Sequence, residues 1–119
     1  MAADKGSLAG AAVAGIFESP RRKADNVHPF VVLQEAVAGA LADAGLDRRD
    51  VDGLCVTAGD MAEGGAVENV IEAAEWLGIQ PTFFDSTDIG GCSSIYQTGI
   101  AAAAITAGLA EVVVIAYAA

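Results

Sequence analysis

The residues best placed to do chemistry lie between Phe84 and Ala119. Gly90 and Gly91 permit a tight turn, and Cys92-Ser93-Ser94 then opens a run of helical pattern. A helix start carries unpaired amides and the positive end of the helix dipole. A thiol at that place can serve as a nucleophile, so Cys92 is the sharpest chemical candidate. The competing assignment is a small apolar residue packed into the turn, where free cysteines commonly sit. Other reactive groups are few. His28 is the only histidine; it precedes Pro29 and reads as a surface or helix-start residue. One histidine leaves no His-built metal site, and Cys55 with Cys92 makes neither a disulfide framework nor a zinc ribbon. No Gly-x-Gly-x-x-Gly follows a strand, and there is no Walker pattern.

Composition narrows the function class. The 119 residues are 54% hydrophobic and 18% charged, too apolar for a disordered chain and suited to one domain. The net charge is −10, and every Lys and Arg lies within the first 49 positions. A nucleic-acid binder needs basic charge, so that role is disfavoured; the acidic excess keeps an Ala-rich chain soluble. Met1–Lys5 has no basic leader followed by a long apolar core. The uncharged run Ile89–Ala110 contains four glycines, two serines and a glutamine, which argues against a membrane span. A cytoplasmic protein with reduced thiols is the expectation.

The elements that must position Cys92 follow from periodicity. Residues 1–9 read as a disordered lead and 10–119 as one domain. Ala11–Phe17 reads as a first strand stopped by Pro20. Asn26 or Asp25 is placed to cap a helix with Pro29 in its first turn and Phe30, Leu33, Val37 and Leu41 at helical spacing; Gly45 ends it, with Leu46 placed for the apolar contact. Val51–Thr57 is a second strand. The loop that follows, including Gly59–Gly65, is acidic and Gly-rich and reads as a solvated turn. Val67, Val70, Ile71, Ala74 and Leu77 form a second helix closed by Gly78, with Trp76 and Leu77 in the core. Thr82–Ser86 is a short third strand. The third helix, capped by Ser93 or Ser94, runs to Ala107, and Glu111–Ala119 is a fourth strand. The order β-α-β-α-β-α-β implies an α/β fold with a largely parallel sheet covered on both faces. The Ala101–Ala104 run leaves the third helix without a polar face, and the chain stops inside an apolar strand. Both features suggest the front half of a longer domain, or one chain of a split one.

The unit Phe84–Ala119 resembles the segment that carries the nucleophile in the thiolase superfamily. Ala107-Gly108-Leu109-Ala110-Glu111-Val112-Val113 is similar to the family's helix end, and Glu35–Leu54 is similar to its first helix and the lead into its second strand. The turn Asp85-Ser86-Thr87-Asp88-Ile89-Gly90-Gly91-Cys92-Ser93 most resembles the lipid-transfer-protein group, related to sterol-carrier-protein thiolases. The resemblance implies the N-terminal half of a thiolase-like fold acting on an acyl-CoA thioester, with no tightly bound cofactor. Catalytic thiolases place their cysteine about 17 residues before the glycine that ends the helix, a span fixed by helical geometry. Counted back from Gly108, that position is Gly91, one residue before Cys92. Acyl transfer through Cys92 is therefore weakened, and retro-aldol cleavage in lipid or steroid side-chain degradation comes forward. In it the amides of Gly91, Cys92, Ser93 and Ser94 hold a thioester oxygen. The family's histidine and second cysteine have no counterpart here. Arg21 and Arg22, in the only basic cluster, are the candidates to meet a coenzyme A phosphate. The resemblance further implies a homodimer through Thr82, Phe83, Phe84, Asp85 and Ser86, with the loop at 59–65 reaching towards the neighbour. The alternative is a non-catalytic subunit that dimerises or docks an OB-fold partner.

Overall fold

The computed structural model describes residues 10–21, 26–57 and 70–118. Helix α1 (Pro29–Ala44) forms because Phe30, Leu33, Val37 and Leu41 recur at helical spacing, and all four are buried. Its cap is His28, not Asn26 or Asp25. Proline at the first helical position leaves the preceding residue as the cap, and the His28 Nδ1 accepts the Phe30 N–H at 3.1 Å. Asn26 lies upstream in a turn with φ 62°, and Asp25 is outside the described residues. Gly45 closes the helix in the left-handed region, and the Leu46 N–H reaches the Leu41 carbonyl at 2.9 Å.

A short 3₁₀ turn (Arg48–Asp50) leads into strand β1 (Gly53–Val56). Helix α2 (Val70–Leu77), strand β2 (Phe83–Asp85), helix α3 (Ser93–Thr106) and strand β3 (Val113–Ala116) follow. The strands form one parallel sheet in the order β2-β1-β3, with Gly53 opposite both Phe83 and Val113. Parallel neighbours require crossovers, which α2 and α3 supply. As the central strand, β1 is buried at every position. Leu54 and Val56 join α1 and α2 in the main core, whereas Cys55 points to the α3 face.

Gly53 shows why the central strand takes a glycine. A Cβ there would stand 2.7 Å from Val113 Cγ2 and 3.3 Å from the Phe83 ring. Overpacking of this kind costs about 1–3 kcal/mol. Gly53→Val is therefore expected to lower the unfolding free energy measured in urea by that amount; an unchanged value would show that the sheet relaxes freely. Beside it, Asp52 ties the three strands together. Its carboxylate accepts the Glu111 and Val112 N–H groups at 3.0 and 2.9 Å, and its carbonyl accepts the Thr82 and Phe83 N–H groups at 2.8 and 3.2 Å.

The parallel α/β architecture agrees with the sequence expectation, with one correction. Ala11–Phe17 is not a strand of this sheet, so three strands rather than four are formed among the described residues. The segment is held by α1 instead: Ile16 N–H bonds Asp43 Oδ2 at 2.9 Å, and the Phe17 ring lies over Gly39. The remaining strands are shorter than expected at both ends. Trp76 is also not core. It is half exposed and stacks on Phe30, with ring centroids 4.9 Å apart, while Leu77 is buried. Val67 and the loop at 59–65 lie outside the described residues. Among the described residues no helix is long and apolar enough to cross a membrane.

Candidate active site

Strand β2 ends at Asp85, and residues 86–92 turn the chain into α3 at the C-terminal end of the parallel strands. Open α/β sheets place their ligand crevices at that end. Gly90, at φ 90°, takes a conformation that side chains rarely allow. Cys92 occupies the N-cap position of α3 without a side-chain cap bond. The expected caps are corrected accordingly: Ser93 is the first helical residue, and Ser94 follows it. Ser93 nevertheless closes the turn. Its hydroxyl donates to the Gly90 carbonyl at 2.6 Å and accepts the Ile89 N–H at 2.9 Å, and its own N–H bonds Gly90 O at 3.1 Å.

Ser93 is therefore buried and spent on the turn, whereas Gly91, Cys92 and Ser94 are exposed. Among the described residues the amides of these three meet no acceptor. They are donors at the positive end of α3, the arrangement that suits a developing oxyanion. The Cys92 thiol is exposed and sits 3.7 Å from the Ile89 carbonyl.

Behind the turn is a polar cluster that sequence reasoning missed. The Asp85 carboxylate accepts the Thr87 N–H at 3.0 Å and the Gln97 side-chain amide at 3.5 Å. Gln97 also donates to the Thr87 carbonyl at 3.4 Å. Gln97 is wholly buried in α3 and so anchors the turn to the helix. The available signal was its place in the buried stripe Ser93, Gln97, Ala101, Ala104. Cys55, in register with Asp85, belongs to the same face. Burial and the nearby Asp85 carboxylate push its thiol up to about 12. In the native protein one thiol, Cys92, is expected to react promptly with Ellman's reagent at pH 8, and two after denaturation. Prompt reaction of both would contradict the burial of Cys55.

The other sequence candidates sit apart from the turn. Arg21 makes a two-pronged ion pair with Glu35 of α1, at 2.6 and 2.9 Å. That bond raises the guanidinium's pKa and lowers the carboxyl's. Arg22 is outside the described residues. His28 caps α1 and stacks on Phe30, so its ring is engaged at the opposite helix from the turn. Phe83, Phe84 and Asp85 form the outer edge strand of the sheet, flanked by Thr82 and Ser86; Phe84 is 48% exposed. No cluster of three metal-ligating side chains occurs among the described residues.

No family model matches the chain. It is 37% identical over 108 residues to a steroid side-chain-cleaving aldolase of Thermomonospora curvata, covering 87% of this chain and 25% of that protein. It is 37% identical over 104 residues to 17-hydroxy-3-oxo-4-pregnene-20-carboxyl-CoA lyase of Mycobacterium tuberculosis, covering 87% of this chain and 26% of that protein. Among solved structures it matches the Ltp2–ChsH2(DUF35) aldolase, with a TM-score of 0.74 and 35% identity over 89% of this chain and 27% of that one. A monomeric SCP2-thiolase-like protein type 1 of Mycobacterium smegmatis matches with a TM-score of 0.65 and 24% identity, over 86% of this chain and 22% of that one. The chain thus spans about a quarter of the length of the curated relatives it matches. Its fold is that of the thiolase-like proteins.

Proposed function

We propose that this chain supplies part of the site of a thiolase-like lyase that breaks a carbon–carbon bond in an acyl-CoA thioester, in lipid or steroid side-chain degradation. The observation that carries the proposal is the turn at 90–94. It offers the amides of Gly91, Cys92 and Ser94, which meet no acceptor among the described residues, in a chain 37% identical to a carboxyl-CoA lyase. The substrate class is a CoA thioester with a hydroxyl on the second carbon from the thioester carbonyl. A base takes the hydroxyl proton, the carbon–carbon bond breaks to leave a ketone from a tertiary alcohol or an aldehyde from a secondary one, and the bond's electron pair moves into the thioester as an enolate. Protonation of that enolate at carbon gives the shortened acyl-CoA. The turn's contribution is to hold the enolate oxygen, and the thiol of Cys92 forms no bond to carbon. His28 is not that base, because it is committed to capping α1. No resident cofactor is required by these steps.

The assembly that goes with this function is a homodimer through residues 82–86, with an OB-fold partner docked to it, in the cytoplasm. The match to the Ltp2–ChsH2 aldolase supports a partner subunit. The second reading is a non-catalytic thiolase-like binding subunit, favoured by the helix-capping role of the only histidine. Incubation of the purified protein, with its partner, with a 3-hydroxyacyl-CoA separates the two. Release of a ketone or aldehyde together with a shortened acyl-CoA supports the lyase; unchanged substrate with retained binding supports the binding subunit.

A further inference from the structure

The first half of the site turn is held by side chains alone. Among the described residues no backbone–backbone hydrogen bond reaches residues 87–89. The Thr87 N–H bonds the Asp85 carboxylate at 3.0 Å, and the Ile89 N–H bonds the Ser93 hydroxyl at 2.9 Å. Both of these bonds are local, two and four residues long, and they move with the turn. The Thr87 carbonyl instead accepts the Gln97 amide at 3.4 Å, from ten residues along the chain. Ser93 and Gln97 stand one helical turn apart on the buried stripe of α3. The helix thus grips the turn on either side of Asp88, and Gln97 supplies the long-range tie. The amides of Gly91, Cys92 and Ser94 follow directly after the gripped segment.

Gln97 is a poor residue for stability alone. It is wholly buried in a stripe that continues with Ala101 and Ala104. Its partners, the Asp85 carboxylate and the Thr87 carbonyl, are both acceptors, so only its NH₂ end can face them. The two bonds are long, at 3.5 and 3.4 Å. The side-chain oxygen is buried with no partner among the described residues. Burial of an unpaired amide oxygen is unfavourable, and two long bonds offset it only in part. What Gln97 does supply is a donor fixed on a rigid helix and aimed at the turn. We propose that Gln97 is a positioning residue, whose amide nitrogen holds the Thr87 carbonyl so that the amides of Gly91, Cys92 and Ser94 meet the enolate oxygen, at a cost in stability. The proposal rests on the lyase reading. Misplacement of a reacting group by about 1 Å costs on the order of 10²-fold in rate, so a small shift of the turn matters.

The test is Gln97→Met, which keeps the length of the side chain and removes the donors together with the unpaired oxygen. The full protein is assayed with its partner on a 3-hydroxyacyl-CoA. The kcat is expected to fall about 10–100-fold, with KM within about twofold of the parent's, because the lost placement acts in the transition state. The unfolding free energy measured in urea is expected to equal or exceed the parent's, since the unpaired oxygen is gone. Amide exchange followed by mass spectrometry is expected to quicken about tenfold across residues 87–91, the effect of one net hydrogen bond, and to stay unchanged in β1 and β3. A clear loss of stability would make Gln97 a structural residue and overturn the proposal. So would a parental kcat in the variant, or a loss confined to KM. If the parent itself leaves the substrate uncleaved, the lyase reading fails and exchange decides the grip. Quickened exchange at 87–91 in a stable variant then keeps Gln97 as the residue that sets the turn, and parental exchange there overturns it.

Discussion

Ser94→Pro is expected to lower the kcat of carbon–carbon cleavage about 10²–10³-fold while leaving the helix content intact. Ser94 is the second residue of α3, and its N–H meets no acceptor among the described residues, so no structural hydrogen bond is lost. Proline is tolerated in the first turn of a helix because its amide would be unpaired there in any case. In the proposed site the substitution removes one donor to the thioester oxygen, and one oxyanion donor is commonly worth a few kcal/mol in the transition state. Measurement of kcat and KM with circular dichroism as the structural control checks it. A loss confined to KM, with kcat retained, would assign the amide to ground-state binding and remove it from the oxyanion site.

Phe84→Asp is expected to convert the proposed dimer into monomers, raising its dissociation constant at least 100-fold. Phe84 lies on the open edge strand β2, 48% exposed in the single chain. A partner copy that adds to this edge would bury the ring, and a carboxylate in its place would be an unpaired buried charge, at a cost of about 3–5 kcal/mol. Since each 1.4 kcal/mol is tenfold in affinity, the lower figure already exceeds 100-fold. Sedimentation at micromolar protein reads the result directly. A variant that dimerises as tightly as the parent would place the interface elsewhere. Because β2 is exposed and Phe84 leaves the main core intact, the monomer should remain folded.

Much of this architecture was legible from local patterns. Helix α1 was readable because its four buried apolar residues share one helical face and its ends carry Pro29 and Gly45. The crossover order followed from alternating strands and helices, and the site turn from two glycines before two serines. What escaped were features set by partners distant in sequence. An Ala- and Val-rich run such as 11–17 looks the same whether it joins a ladder or lies across a gap; only Asp43 and Gly39 of α1 decide it. Asp52 read only as part of the strand Val51–Thr57 until the residues it joins, 59 and 60 positions away, were brought to it. Gln97 looked like a break in an apolar helix, but its burial against Asp85 makes it the anchor of the turn. Trp76 had the spacing of a core residue and instead covers Phe30 from outside.

In the proposed lyase the turn at 90–94 works through its amides while the Cys92 thiol stays uncombined. By the resemblance, the nucleophile position of acyl-transferring thiolases is expected at Gly91, and Cys92 follows it at the N-cap of α3. The direct measurement is the mass of the assembled enzyme, intact and after proteolysis, quenched in acid during turnover of a 3-hydroxyacyl-CoA. The expected result is unmodified protein, with the peptide containing Cys92 at its unacylated mass while product accumulates. A peptide carrying the acyl group on Cys92, formed and discharged at the rate of turnover, would contradict the account and restore covalent acyl transfer through that thiol.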